Sequence, residues 1–71
     1  MADPSLSNLT LEEAWKLAIH KEKEAQELYR ALAEKAATAG ARDLFLFLLG
    51  QEEEHERRLQ DEFDQAFAQE W

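Results

Sequence analysis

The chain has 71 residues and no cysteine, so neither a disulfide nor a thiolate metal site is available to stabilise it. Its formal net charge of −8 makes nucleic acid and anionic membranes poor partners, and no apolar run reaches the roughly 20 residues that span a bilayer. Because only two glycines and one proline interrupt a mixture of helix-forming residues, we expect one small all-α domain.

The polar residues 1–9 hold the single proline, and we expect them to form a flexible N-terminal arm. The opening MADPSLSN lacks the basic and apolar regions of a signal peptide, which favours a cytoplasmic location. The helical domain is expected over 10–71. Thr10 and Glu13 have the spacing of a capping box, which predicts that a first helix covers 11–37.

A break in the helical pattern follows at Thr38-Ala39-Gly40, and Gly40 is the residue expected to cap the first helix in a left-handed conformation. The second helix is then predicted over 42–68. Because the connection is short, the two helices should form an antiparallel hairpin. Two helices cannot enclose a buried site, so we expect two hairpins to pair into a four-helix bundle.

Each predicted helix carries a seam in which residues recur at alternating steps of three and four, as in a heptad pattern. Glu22 interrupts the first seam near its middle, and Glu52 and His55 interrupt the second. Counted outward from the turn, these three residues lie at about the same level of the hairpin. The seams comprise Leu11, Trp15, Ala18, Glu22, Ala25, Tyr29, Leu32 and Ala36, followed by Phe45, Leu48, Glu52, His55, Leu59, Glu62 and Ala66.

Charged groups inside a helical bundle cost several kcal/mol unless something neutralises them. A Glu on one helix with a Glu-x-x-His on another, here Glu22 with Glu52 and His55, is the ligand pattern of di-iron carboxylate bundles. Two copies would supply four carboxylates, which balance two divalent ions. We therefore expect two iron ions per dimer, with manganese or zinc able to substitute. The alternative is that the same residues only fix helix register and oligomeric state.

The segments from Ala18 to Tyr29 and from Leu44 to His55 resemble one half of a rubrerythrin-like protein of the ferritin-like superfamily. The shortness of the chain is similar to that of the encapsulated ferritins, whose subunits have two helices. This resemblance implies a ferritin-like four-helix bundle with Glu22, Glu52 and His55 as metal ligands. It also implies that the Tyr29 hydroxyl bonds a ligand carboxylate, although Tyr29 is equally well read as a core aromatic.

The function expected from these residues and this resemblance is oxidation of ferrous iron by O2 or peroxide. Glu22, Glu52 and His55 would form the catalytic and metal site, with Tyr29 beside it. The expected partners are a second copy, metal ions and O2 or peroxide, with either a protein-shell host or an external electron donor as a further candidate. The apolar run from Leu44 to Leu49 also favours a higher homo-oligomer. A non-catalytic iron carrier and a metal-free oligomerisation domain remain as alternatives.

Overall fold

A computed structural model describes residues 8–67, and these form an all-α hairpin. Helix α1 covers Leu11–Lys35 and helix α2 covers Ala39–Phe67. Interhelical contacts pair early residues of one helix with late residues of the other, so the helices are antiparallel. Neither helix is long and apolar enough to cross a membrane. Most of the predicted arm and the last predicted helical residue lie outside the described part of the chain.

The capping box predicted at the start of α1 is confirmed. The Glu13 backbone N–H donates to the Thr10 hydroxyl oxygen at 3.0 Å, and the Thr10 backbone N–H donates to Glu13 Oε1 at 2.8 Å. Each side chain therefore satisfies a backbone donor that the first helical turn leaves without a partner.

The turn between the helices differs from the prediction, because Gly40 is not a left-handed cap. No described glycine has a positive φ, and Gly40 lies in the first turn of α2. Helix α1 ends at Lys35, two residues before the predicted residue 37, and its C-cap Ala36 has extended backbone with φ −62° and ψ 135°. Thr38 then caps α2, because its hydroxyl accepts the Ala41 backbone N–H at 3.0 Å. The cap at Thr38 starts α2 three residues before the predicted residue 42.

The face of α1 that packs on α2 is rotated relative to the predicted seam. The most buried side chains are Ile19 and Ala33, and neither belongs to that seam. Ile19 and Ala33 instead repeat, with Gln26 between them, at intervals of seven residues. A neighbouring stripe of Trp15, Glu22 and Tyr29 is half-buried and borders this packing face. On α2 the prediction holds in part, because its seam residues Phe45, Leu48, Glu52 and Leu59 are half-buried. The other seam residues, His55, Glu62 and Ala66, are exposed, and the adjacent Glu56, Phe63 and Phe67 are half-buried in their place.

Aromatic contacts close the end of the hairpin that lies away from the turn. The Trp15 indole Nε1–H donates to the Leu59 carbonyl oxygen at 3.0 Å. The Trp15 ring meets Phe67 edge to face at 6.0 Å, and Phe67 lies 4.9 Å from Phe63. A buried indole N–H needs a hydrogen-bond acceptor, and the Leu59 carbonyl supplies it. The bond therefore holds the partly buried Trp15 side chain against α2.

One side of the hairpin remains open. We use the name open face for the side formed by the α1 stripe Leu11, Ala18, Ala25 and Leu32 and the α2 stripe Leu48, His55 and Glu62. The opposite side, the back face, carries the interhelical pairs of Lys23 with Glu56 and Arg30 with Glu53. The predicted seam residues that do not pack between α1 and α2 therefore lie on the open face.

Candidate metal centre

Helix geometry brings Glu22, Glu52 and His55 to one level of the hairpin. Glu22 lies near the middle of α1, while Glu52 and His55 lie three residues apart on α2 and share one side of that helix. One ligand atom from each of the three residues lies within 4.8 Å of the other two. The expectation that these side chains converge is therefore met within a single chain.

The distances within the group are short for charged side chains. His55 Nδ1 lies 3.2 Å from Glu22 Oε2 and 3.7 Å from Glu52 Oε2. Solvent reaches only 23% of the Glu22 side chain and 19% of the Glu52 side chain, against 50% for His55. The two carboxylates are thus set into the hairpin, and the imidazole stands at its open edge.

Glu22 Oε2 is a buried oxygen with no hydrogen-bond partner. His55 Nδ1 is close to it, but the two atoms are not aligned for a hydrogen bond. The adjacent Glu52 carboxyl raises the pKa of Glu22 above its ordinary value, and burial adds to this effect. A buried carboxylate oxygen without a donor and beside a second carboxylate is short of positive charge, which a metal ion would supply.

The three residues border an open groove. Its lining comprises Trp15, Glu22, His55, Arg58, Leu59 and Glu62. Arg58 was not singled out in the sequence, where it reads as part of a solvated charged run next to Arg57. Arg57 does bind its own helix, through Glu54 at 2.7 Å and Asp61 at 3.0 Å. Arg58 follows His55 by three residues and so lies on the same side of α2. That spacing was the sequence signal that could have identified it as a groove residue.

Tyr29 lies two turns along α1 from Glu22 and is half-buried. Because Glu22 Oε2 has no hydrogen-bond partner, the Tyr29 hydroxyl does not donate to that oxygen in the single chain. A role for Tyr29 beside the metal ligands stays a prediction.

The donor set fits iron better than it fits a closed zinc site. Two carboxylates and one imidazole, without thiolate, are ligands that iron and manganese accept. They give at most one nitrogen and four oxygens, which is too few to surround two ions. Further ligands for two ions would have to approach through the open face, where His55 stands.

Comparison with known proteins places the chain in one family. The family model described as Rubrerythrin matches residues 2–69, which is nearly the whole sequence. No curated protein and no solved structure gives a significant match. With a match of this extent, the chain belongs to the rubrerythrin family.

Proposed function

We propose that two copies of this hairpin join through their open faces and bind two iron ions, at which ferrous iron is oxidised by O2 or peroxide. The family makes di-iron oxidoreductase chemistry the first expectation. The observation that carries the proposal is the group of Glu22, Glu52 and His55, with its unpartnered carboxylate oxygen.

The need for a second copy follows from the small core of the single hairpin. Among the described residues only Ile19 and Ala33 are buried. By contrast Leu11 on the open face is 68% exposed, and Leu32 and Leu48 on the same face are only half-buried. An exposed apolar surface of this kind is typical of an interface, and burial of it against the same surface of another copy would stabilise both.

Symmetry also completes the site. A two-fold axis beside the open edge would place the Glu22, Glu52 and His55 side chains of two copies around one cavity. The four carboxylates then balance the charge of two divalent ions, which removes the cost of burying them.

The chain's own groups have separable roles in this reaction. Two bound ferrous ions would supply the two electrons that reduce O2 to hydrogen peroxide, or hydrogen peroxide to water, with two protons taken from solvent. Glu22 and Glu52 would hold the ions and offset their charge, and His55 would provide the neutral nitrogen ligand. Trp15 and Leu59 add apolar side chains to the lining of the groove.

Metal analysis and stopped-flow absorbance together test the proposal. Protein purified without an affinity tag should bind one iron per chain, and mixing the ferrous form with air should produce ferric absorbance faster than a protein-free control. Iron that binds without faster oxidation would instead favour the carrier alternative. Protein that binds no metal would leave the oligomerisation domain as the remaining function.

Ligand variants identify the residues responsible. Glu22→Ala, Glu52→Ala and His55→Ala should each abolish tight binding of two ions, because every change acts twice in a symmetric site. Glu53→Ala is the matched control, since Glu53 adjoins Glu52 but lies outside the ligand group. Persistence of one ion per chain in all three ligand variants would rule out this assignment.

A further inference from the structure

A second polar contact joins the helices beside the candidate metal centre, and its members are not metal ligands. The Gln26 side-chain Nε2–H donates to Glu56 Oε1 at 2.6 Å. The other oxygen of the same carboxylate, Glu56 Oε2, lies 3.7 Å from Lys23 Nζ. Both oxygens of Glu56 therefore face partners on α1, and the side chain is only 27% exposed.

The position of this contact relative to the ligands is specific. Gln26 follows Glu22 by one helical turn on α1. Glu56 follows Glu52 by one turn on α2 and is the residue next to His55. Because α1 and α2 are antiparallel, a bond from Gln26 to Glu56 fixes how far one helix can slide past the other at the level of the ligands.

The Trp15–Leu59 hydrogen bond also resists sliding, but it lies two turns from Glu22, toward the end of the hairpin away from the turn. Closer to the ligands, few other interactions in the described chain fix the sliding position. Ile19 and Ala33 are the buried contacts, and apolar contacts between helices are non-directional. Outside the ligand group, the other interhelical ion pair among the described residues is Arg30 with Glu53, which is long at 4.0 Å with both side chains more than half exposed. Exposed pairs of this kind contribute little. A short, partly buried bond to a charged acceptor is the stronger constraint.

We infer that the Gln26–Glu56 bond, assisted by Lys23, is the positioning element of the metal centre. It sets the helix register that brings Glu22 against Glu52 and His55. A slide of one residue moves a helix by about 1.5 Å along its axis. Metal sites need their ligands held within about 0.5 Å, so such a slide would separate the ligand atoms. The inference rests on the proposed metal-binding function.

Exchange of the two side chains provides the test. Gln26→Glu sets two carboxylates against each other and removes the bond. The double variant Gln26→Glu/Glu56→Gln restores an amide–carboxylate bond with its direction reversed, and it leaves Lys23 three residues from the new carboxylate on the same helix. Gln26→Asn is a milder variant, since it only shortens the side chain. Glu53→Gln, which removes the Arg30 pair, is the matched control.

Cobalt(II) titration is the readout, because its visible absorption bands report ligand geometry and not only folding. Far-UV circular dichroism on the same samples measures helix content. Gln26→Glu and Gln26→Asn should each weaken Co²⁺ binding about tenfold or more and change the visible bands. The exchanged double variant should recover the wild-type spectrum and an affinity within about threefold of wild type, and Glu53→Gln should behave as wild type.

The titrations separate a failure of the metal centre from a failure of the positioning role of the Gln26–Glu56 bond. Wild-type protein that binds no Co²⁺ contradicts the proposed metal centre, and with it this inference. If the wild type binds and folded Gln26→Asn or Gln26→Glu binds equally well with an unchanged spectrum, the positioning role is wrong while the metal centre stands. A folded double variant that remains as weak as Gln26→Glu also overturns the inference.

Discussion

Glu22 is the residue at which two packing surfaces of the chain meet. It belongs to the stripe of Trp15, Glu22 and Tyr29, which lies between the face packed on α2 and the open face. A side chain in this place is half-buried by its own hairpin and can still reach a second copy. Its unpartnered oxygen and its raised pKa are consequences of that position beside Glu52.

The raised pKa of Glu22 predicts how the stability of the metal-free protein depends on pH. Between the ordinary value of 4.5 and the raised value, the folded state binds more protons than the unfolded state. The free energy of unfolding should therefore fall as pH increases through this range. Urea denaturation in the presence of a chelator, repeated across the acidic and neutral range, measures this dependence.

Substitution isolates the contribution of the carboxylate pair. Glu22→Gln removes one charge at nearly constant shape, so it should reduce the decline in stability with pH while it abolishes metal binding. Glu27→Gln, an exposed glutamate on the same helix, should change neither. If the stability of Glu22→Gln depends on pH in the same way as that of the wild type, the Glu22 and Glu52 carboxylates do not interact in the folded protein.

At the scale of the helices, the start of α1 was predictable because it depends on two residues three positions apart. The start of α2 was not, because two residues of the turn could each cap a helix. The capping box of Thr10 and Glu13 needs only a spacing of three residues, and it fixed the start of α1. At the turn the prediction rested on the glycine at Gly40, and it did not consider the hydroxyl at Thr38 as a helix cap. Thr38 determines the structure, because its hydroxyl accepts the Ala41 backbone N–H in the first turn of α2 and leaves Gly40 in ordinary helical backbone.

Gly40→Ala distinguishes the two descriptions of the turn. In the structure an added methyl group at Gly40 meets no atom within 4 Å, and the backbone has no positive φ. Alanine should therefore raise the free energy of unfolding by about 0.5–1 kcal/mol, measured by chemical denaturation. A left-handed cap at this position would give the opposite sign, so a destabilised variant would contradict the observed start of α2.

Thr38→Ala tests the cap itself. Loss of the hydroxyl that accepts the Ala41 backbone N–H should lower stability by about 1 kcal/mol. Thr38→Asp, which keeps an acceptor at the helix start, should retain most of that stability. Equal stability of Thr38→Ala and the wild type would show that water satisfies this donor as well as the hydroxyl does.

The three candidate ligands were predictable because they are polar residues in an apolar heptad pattern. The packing inside the hairpin was not, since a sequence seam does not say which partner it faces. Ile19 and Ala33 belong to a second stripe, which packs on α2 within the chain. Part of the predicted seam is left on the open face. Both stripes repeat every seven residues, and two such stripes on one helix are typical of a helix that packs against two neighbours in a bundle.

At the scale of the whole molecule, only two of the described residues are buried, so we expect the stability of the hairpin to depend on metal binding and on association with a second copy. Metal that binds only the folded dimer should stabilise it by mass action. We therefore expect the melting temperature to rise with ferrous or manganous ions, to fall with chelator, and to increase with protein concentration. A melting curve that stays the same across a chelator series would exclude a structural contribution from metal.

Assembly beyond the dimer is a further expectation for the whole molecule. Leu46 and Phe47 are 48% and 62% exposed, and neither belongs to the open face. We propose that they form a second contact between dimers. Light scattering should show the wild type as larger than a dimer, and Leu46→Glu/Phe47→Glu should reduce it to a dimer that still binds metal. A wild type that is strictly dimeric at micromolar concentration would contradict this contact.

The most direct measurement is a crystal structure of the iron-loaded protein with anomalous scattering recorded at the iron edge. We predict two anomalous peaks between two copies of the chain, each within about 2.0–2.3 Å of carboxylate oxygens of Glu22 or Glu52 and of a His55 nitrogen. Peaks at other residues, or two copies joined with no metal between their open faces, would contradict it.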